Sequence, residues 1–450
     1  MKLISKYNTA APRYTSYPTV PLWDKTPTQE DWKKLVQKSF KESNKSKGIS
    51  LYIHLPFCES LCTYCGCNTR ITVNHKVEAP YIQSLLKEWN LYTDLFGEKP
   101  SIKEIHLGGG TPTFFSAENL ALLIKGILAV SAINEDAEFS FEAHPDNTTE
   151  QHLKTLYNLG FRRVSFGIQD FDPRVQYIIN RKQSFEQVQH IVELARETGY
   201  TSVNFDLIYG LPLQTPKSMV NTINNVRQLK PDRIAFYSYA HVPWIKPGQR
   251  KFSEADLPVD IEKRALYELG RKQLKEAKFI EIGMDHFALK TDSLYKAAVN
   301  GSLHRNFMGY THKHTQLMIG LGVSSISDTW YAFAQNIKTV EEYRKAVEEG
   351  NFPLFRGHVL DKEDLIIRKH ILNLMCKFET FWTNTKEQCG PLYAAIPRLQ
   401  ELEKDKLIEL QAHHLKVTTK GRAFLRNICM AFDARLWRTN PQQQVFSSSV

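Results

Sequence analysis

Short apolar runs alternate with amphipathic segments along most of this 450-residue chain. Apolar residues recur at three- and four-residue spacing between the runs, which predicts helices; one such face holds Ile82, Leu85, Leu86 and Trp89. Six β/α units in a row predict an α/β protein with a parallel sheet, either open and doubly wound or curled into a full or partial barrel. The six predicted strands, rich in β-branched and aromatic residues, are 49–57, 101–107, 137–144, 163–169, 202–210 and 233–241.

Signals for helix ends lie between these strands. Thr148-x-x-Gln151 and Ser184-x-x-Gln187 match the capping-box pattern, and Gly199 follows a predicted helix end. Glycines and polar groups cluster where each strand ends. Because parallel α/β proteins bind ligands at the carboxyl ends of their strands, we expect one site built from all six loops.

The pattern changes after about residue 350. Two predicted helices, 361–376 and 392–405, precede a strand-turn-strand candidate at 407–418 and a final helix at 419–432. This order resembles a winged-helix-type accessory domain. We therefore predict three parts: a leader segment with a helix that covers the barrel (1–47), the barrel with an extension (48–350) and a mostly helical, winged-helix-like domain (351–450).

Composition excludes several classes of protein. The chain has 42% hydrophobic and 24% charged residues, which is typical of a globular protein rather than a disordered chain, a fibrous repeat or a small disulfide scaffold. No apolar run reaches the ~18–20 residues of a membrane span, and the N-terminus lacks the apolar stretch of a secretory signal. We expect a cytoplasmic protein that contacts no membrane.

The net charge of +10 fits an anionic partner, which could be a nucleic acid, a membrane surface or a small polycarboxylate. Few cations in the C-terminal domain could contact phosphates, so we favour a packing role for that domain and expect no nucleic-acid partner. These cations are Lys416, Lys420, Arg422 and Arg426.

Four of the seven cysteines lie within ten positions, on the loop after the first strand. In Cys58-x3-Cys62-x2-Cys65, three thiolates on one loop can bind three irons of a cubane cluster and leave the fourth iron open to a small ligand. Zinc is the alternative, but structural zinc sites use four ligands, usually as two separated pairs. The spacing therefore favours an iron–sulfur cluster.

This cysteine motif, with Tyr64 before its third cysteine, resembles the signature of radical S-adenosylmethionine (SAM) enzymes. In that superfamily the open iron binds the amino and carboxylate groups of SAM, and a partial (β/α)6 barrel surrounds the site. Longer stretches resemble one family, the oxygen-independent coproporphyrinogen III oxidases. These stretches are PRYTSYP (12–18), HLPFC (54–58), CGCN (65–68), GGGTP (108–112), NFDLIYGLP (204–212), GMDHFA (283–288), LHRNF (303–307) and RNICM (426–430).

The resemblance implies an oxidoreductase of haem biosynthesis that decarboxylates two propionates of coproporphyrinogen III to vinyl groups, giving protoporphyrinogen IX. It implies one [4Fe-4S] cluster on Cys58, Cys62 and Cys65, two SAM molecules, and a reducing protein such as flavodoxin or ferredoxin. We expect a monomer, and no catalytic side chain is assigned because SAM carries the radical. The implied SAM contacts are Tyr52, Tyr64, Gly109, Gly110, Thr111, Glu142, Gln169, Arg181, Asp206, Ala240 and Ile326.

Individual residues have alternatives. Glu142 and Asp206 are expected to bind ribose hydroxyls or the SAM ammonium group, because a buried carboxylate is costly without a partner, and the alternative is a buried ion pair. Arg181 is expected to bind the carboxylate of the second SAM, and the alternative is a surface salt bridge. The resemblance places Cys67 outside the cluster ligands.

Two other functions stay open. A haem chaperone of the same superfamily typically lacks the equivalent of Cys67 and the leader stretch at 12–18, and this chain has both. A nucleic-acid-modifying radical SAM enzyme would bind its substrate through the C-terminal domain. We favour the oxidase over both.

Overall fold

A sheet of twelve strands runs through this computed structural model, which describes residues 2–439 and residue 446. The strands of the described residues are β1 Ile49–Leu55, β2 Phe57–Cys58, β3 Arg70–Ile71, β4 Ser101–Gly109, β5 Ala132–Ala143, β6 Phe161–Gln169, β7 Ser202–Tyr209, β8 Arg233–Ser238, β9 Ile280–Gly283, β10 His286–Ala288, β11 His304–Asn306, β12 Gly309–Thr311, β13 Met318–Leu321, β14 Ile326–Asp328, β15 Ala332–Asn336, β16 Leu354–Val359, β17 Glu379–Phe381, β18 Ile408–Gln411 and β19 His414–Val417.

Helices connect the parallel strands and cover the sheet. Over the same residues they are α1 Lys2–Tyr7, α2 Gln29–Ser43, α3 Glu78–Phe96, α4 Ala117–Ala129, α5 Glu150–Asn158, α6 Pro173–Ile178, α7 Phe185–Thr198, α8 Pro216–Leu229, α9 Asp260–Glu276, α10 Ser293–Asn300, α11 Val340–Glu348, α12 Lys362–Lys377, α13 Gly390–Lys404, α14 Leu425–Phe432 and α15 Ala434–Thr439.

The six predicted strands form β1, β4, β5, β6, β7 and β8, which pair in parallel in that order. A further strand, β13, adds in parallel to the free side of β1, and antiparallel strands extend both edges. The order runs from β16 to β9 without returning, so among the described residues the sheet is not a closed cylinder. The predicted partial (β/α)6 barrel is confirmed, with one parallel strand that the sequence analysis missed.

Local capping signals fix where the helices begin. Ser184 caps α7 through the predicted reciprocal box with Gln187. The box predicted at Thr148 is wrong by one residue: Thr149 caps α5, and its backbone N–H donates to Nδ1 of His152 at 3.1 Å. The Thr148 hydroxyl instead donates to the carbonyl of His144 at 2.8 Å, which leaves it outside the helix.

The main core lies between the sheet and its covering helices. On α3 the predicted apolar face buries Ile82, Leu85 and Trp89 completely, and Leu86 packs at its margin. Each such side chain contributes about 1.5–3 kcal/mol on burial, so these faces hold the helices against the strands.

A second core joins the leader segment to the C-terminal region. Tyr14 and Tyr17 pack in one apolar cluster with residues of α12, α13 and α14, and the Tyr14 hydroxyl donates to Asp433 at 3.0 Å. Arg426 is buried there and donates to the carbonyl of Pro12 at 3.1 Å, so this predicted surface cation faces inward. The boundaries at 47 and 350 stay predictions.

The C-terminal region contains helices around a three-stranded antiparallel sheet in the order β17-β19-β18. The first of these strands was not predicted. Residues 440–445 and 447–450 of the predicted accessory domain lie outside the described residues. Among the helices of the described part of the chain, none is both long and apolar enough to span a membrane.

Candidate functional site

A cavity of about 550 Å³ lies at the carboxyl ends of the parallel strands. Five of the six expected loops contribute to its wall, from the cysteine loop after β1 to the segment after β8, whereas β7 contributes Asp206 and Ile208 from the strand itself. The predicted site residues that line it are Cys58, Cys62, Tyr64, Cys65, Gly109, Gly110, Thr111, Glu142, Gln169, Arg181, Asp206 and Ala240.

The three predicted cluster ligands share one wall of this cavity. Each sulfur lies near a different polar group: Cys58 Sγ is 3.4 Å from the Thr111 hydroxyl, and Cys65 Sγ accepts the backbone N–H of Cys67 at 3.4 Å. Cys62 Sγ accepts from the guanidinium of Arg181 at 3.5 Å. Burial raises the pKa of the Cys58 thiol to about 11, so ionisation of this sulfur depends on a bound cation.

The arrangement of the thiols bears on the choice between metals. Within residues 2–439, no three Cys, His, Asp or Glu side chains converge on one position that could hold a single metal ion. A closed zinc site requires such convergence. A cubane cluster does not, because each thiolate binds a different iron atom. The cysteine wall therefore suits a cluster.

The glycine run brings backbone close to the cysteine loop. Gly109 has a φ of +110°, and a Cβ there would lie 2.5 Å from the imidazole of His54. At Gly110 a Cβ would lie 2.7 Å from the backbone of Pro56, so both positions require glycine. The N–H of Gly109 donates to Glu142 at 3.2 Å and that of Gly110 to Leu55 at 2.8 Å, so neither donor is free for a ligand in this state.

Glu142 projects from the end of β5 into the cavity, with 43% of its side chain exposed there. Burial opposes its ionisation, but hydrogen bonds from His106 and the Gly109 N–H hold its pKa below the usual range. A charged carboxylate with a free face can bind an ammonium group or ribose hydroxyls. It forms no buried pair with Lys or Arg among the described residues; its one ion-pair contact is with His106, at 3.4 Å.

Asp206 lies within β7, before the carboxyl end of the strand, and lines the cavity. Its carboxylate accepts from Ser165 at 3.0 Å and from Asn204 at 3.1 Å. Burial, and then the charge of Glu142, raises its pKa to about 7. The two carboxylates thus differ in charge near neutral pH, although both line one wall.

Arg181 is buried, with 7% of its surface exposed, so the surface-salt-bridge alternative is wrong. Its guanidinium donates to the carbonyl of Gly167 and to Cys62, whereas its Nε has no hydrogen-bond partner. A Cβ at Gly167 would lie 2.8 Å from both Arg181 Nη2 and Gln169 Nε2. The glycine therefore makes space for two polar side chains, and the unpaired donor suits a bound carboxylate.

Two predicted contacts lie elsewhere. Tyr52 is buried beneath the cavity, where its hydroxyl is 3.1 Å from His54 Nδ1 and its ring packs against Phe307. Ile326 begins β14, with its backbone against Gly320, and does not line the cavity. Their roles stay predictions.

The sequence analysis missed the residues that position the two carboxylates. His106 and Ser165 precede strand ends, and Asn204 lies two positions before Asp206 on the same face of β7. The two-residue alternation of side chains along a strand could have predicted them, because it places each residue on the same face of the sheet as the functional residue beside it. Cys67 also lines the cavity, which its place in the cysteine loop explains.

These residues fit the implied cofactors. The cysteine wall, the two carboxylates and Arg181 line one cavity, and glycines 109, 110 and 167 remove side chains where a ligand must approach. A polar molecule with ammonium, carboxylate and ribose groups finds a partner for each.

Comparisons with known proteins identify relatives of this chain. Residues 52–226 match the Radical SAM superfamily. The chain is 38% identical to the oxygen-independent coproporphyrinogen III oxidase of Salmonella typhimurium, over 99% of this chain and 97% of that protein. The same named enzyme of Synechocystis is 36% identical over 100% and 97%. The solved coproporphyrinogen III oxidase of Escherichia coli, described as a radical SAM enzyme, superposes with a TM-score of 0.89 at 36% identity, over 96% of this chain and 98% of that one.

Proposed function

Because this chain belongs to the family of oxygen-independent coproporphyrinogen III oxidases, we propose that it converts coproporphyrinogen III to protoporphyrinogen IX. The observation that carries the proposal is the single cavity in which a three-cysteine wall meets the strand-end carboxylates and Arg181. In the reaction each of two propionates loses one hydrogen atom, CO2 and one electron, and becomes a vinyl group.

Cys58, Cys62 and Cys65 would hold a [4Fe-4S] cluster, which supplies the electron that cleaves bound SAM to a 5′-deoxyadenosyl radical. Around it the protein binds and orients. Glu142, which accepts the Gly109 N–H, would bind the methionine end of the first SAM, and Asp206 would accept from a ribose hydroxyl. The buried wall excludes water from the reacting carbon.

We place a second SAM beside Arg181. Its Nε donor is buried without a partner, which costs about 1–3 kcal/mol unless a ligand accepts from it. A SAM carboxylate would satisfy this donor, and the amide of Gln169 lies next to it across Gly167. Tyr64, on the cysteine loop, lines the same cavity.

The reductant would dock where the cysteine loop reaches the surface. Lys246 Nζ donates to the carbonyl of Cys67 at 2.8 Å, and the adjacent Trp244 and Ile245 are 55% and 62% exposed. Lys251 ends the same segment, which packs on the loop because Gly248 lies beside Leu61. A cationic surface with exposed apolar side chains suits an acidic one-electron carrier such as flavodoxin or ferredoxin.

Lys251→Glu tests this docking surface. The charge reversal should slow turnover driven by flavodoxin several-fold, most at low salt, and leave turnover driven by dithionite unchanged. Lys34→Glu, at an exposed position of α2, is the matched control. Equal flavodoxin-driven rates in both variants would contradict the proposed docking surface.

We further propose that the protein acts in the cytoplasm as a monomer. Unpaired thiols beside a cluster suit a reducing compartment, and every cysteine of the described residues is a free thiol. Size-exclusion chromatography with light scattering of the reconstituted protein measures the monomer directly.

The activity is tested by product mass. The protein, reconstituted without oxygen, is incubated with SAM, a reductant and coproporphyrinogen III. The expected product is lighter than the substrate by two CO2 and four hydrogens. Haem binding with no such product would instead favour the haem chaperone.

A further inference from the structure

A second cavity, of about 620 Å³, adjoins the cavity just described. Arg13 and Ser238 line both cavities, and Arg13 donates to the Ser238 carbonyl at 2.7 Å. This pair, which joins the leader segment to the end of β8, is therefore a shared wall. A volume in the range of roughly 300–1,000 Å³ is that of ligand-binding pockets.

The second cavity is strongly cationic. Two of its three carboxylates are already engaged: Glu268 bonds Arg271 at 2.7 Å, and Glu281 accepts from Tyr267 at 2.9 Å. Seven cations line it, of which Lys275, Lys420 and Arg422 make no ion pair with any described residue. The seven are Arg13, Arg264, Arg271, Lys275, Lys420, Arg422 and Arg426.

Aromatic side chains supply part of the apolar lining. Phe279, Phe287, Phe378 and Phe424 offer ring surfaces, and Met284 lies among them. A macrocycle of four pyrrole rings with carboxylates around its rim matches this combination of aromatic walls and peripheral cations. A nucleotide would match the charge but would place its phosphates on one side only.

Asp285 is the third carboxylate and the one without a direct partner. Its backbone is left-handed, with a φ of +64°, which turns the side chain into the cavity. No described residue donates a hydrogen bond to its carboxylate, and no described cation lies within ion-pair distance. Burial raises its pKa, and the charges of Arg13 and Arg305 oppose that rise. An acceptor so placed calls for ligand N–H groups.

We propose that this second cavity binds the tetracarboxylate macrocycle. Asp285 accepts the pyrrole N–H groups at the centre, and Lys420, Arg422 and their neighbours bind the carboxylates that do not react. A reacting propionate then passes Arg13 into the adjoining cavity. The inference rests on the proposed function and adds where, and through which groups, the substrate binds.

The test measures equilibrium binding of coproporphyrinogen III to the cluster-loaded protein by anaerobic ultrafiltration, so that it needs no turnover. The Lys420→Ala/Arg422→Ala double variant should bind at least roughly fivefold more weakly than the wild type. Asp285→Asn should also weaken binding, because an amide in place of one oxygen opposes N–H donors; Asn tolerates the left-handed backbone. Lys34→Ala/Lys41→Ala on α2 is the matched control.

A second ligand separates charge from shape. The tetramethyl ester of coproporphyrinogen III keeps the pyrrole N–H groups and lacks the carboxylates. The wild type should prefer the acid, the double variant should lose that preference, and Asp285→Asn should weaken both ligands. Unchanged binding in both variants, or no binding by the wild type, would overturn the inference. Wild-type binding without any vinyl product would instead overturn the proposed activity.

Discussion

The guanidinium of Arg181 donates a hydrogen bond to Sγ of Cys62 at 3.5 Å. One buried cation thus contacts the cysteine loop, and its Nε has no hydrogen-bond partner. The same side chain that we assign to the second SAM therefore also contacts a cluster ligand.

Arg181→Ala should separate SAM cleavage from product formation. The contacts of the first SAM with the cysteine loop, Gly109, Glu142 and Asp206 remain in this variant, so 5′-deoxyadenosine should still form. Losing a buried charge-assisted contact to a carboxylate costs a few kcal/mol, so affinity for the second SAM should fall roughly 100-fold. Equilibrium dialysis should give two SAM per wild-type chain and one per variant chain.

Arg181→Lys is the control for charge, since it keeps the cation and loses the planar fork. Its affinity for the second SAM should lie between those of the wild type and Arg181→Ala. Wild-type vinyl yield in Arg181→Ala would exclude the two-SAM arrangement.

Gly167→Ala should also prevent binding of the second SAM, although the substitution removes no charged group. The added methyl lies 2.8 Å from the mobile ends of Arg181 and Gln169, so both side chains shift while the strand stays intact. We expect normal cluster content, one bound SAM and little vinyl product. Gly390→Ala, where a Cβ meets nothing within 4 Å, is the matched control. Two SAM per chain in Gly167→Ala would contradict the placement.

Cluster content should depend on three of the four clustered cysteines. Replacing Cys58, Cys62 or Cys65 with Ser should lower iron and sulfide after anaerobic reconstitution, because each thiolate binds its own iron. Cys67→Ser should retain both, since its position is assigned to no iron. Equal loss in Cys67→Ser and Cys62→Ser would show that the ligand set is wrong.

Much of the fold could be predicted because its signals are local. The six parallel strands and the Ser184 cap depend on residues within a few positions of one another. The contact between Tyr14 and Asp433 could not be predicted, because it joins residues separated by most of the chain. The strand β13 was missed because Met318–Leu321 is short and pairs with β1, far away in sequence.

The site residues that could be predicted are those that the family resemblance or the positions of the strand ends indicate. Glu142 and Asp206 lie near strand ends, so their meeting follows from a parallel sheet. The charge difference between them does not, because it depends on His106 and on burial. Asp285 gave no signal in the sequence apart from its place in a shared stretch, since the second cavity forms only when the leader and the C-terminal region pack together.

Asp206 should make stability depend on pH. Burial raises its pKa to about 7, against ~3.9 in an unfolded chain. The folded state therefore holds the proton more tightly, so this stabilisation is complete below pH ~4 and is lost as pH rises through 7. Between pH 5.5 and 8, the free energy of unfolding measured with urea should fall less for cluster-free Asp206→Asn than for the cluster-free wild type. Parallel pH profiles would show that Asp206 is ionised throughout.

The central claim is that a hydrogen atom is removed from a propionate of coproporphyrinogen III in the cavity at the carboxyl ends of the parallel strands. The most direct measurement uses substrate deuterated at the propionate carbon next to the ring, the β-carbon, and determines the deuterium content of 5′-deoxyadenosine by mass spectrometry. The account predicts deuterium in 5′-deoxyadenosine, in step with the vinyl groups formed, and none in the Cys62→Ser variant. Vinyl product accompanied by unlabelled 5′-deoxyadenosine would contradict it.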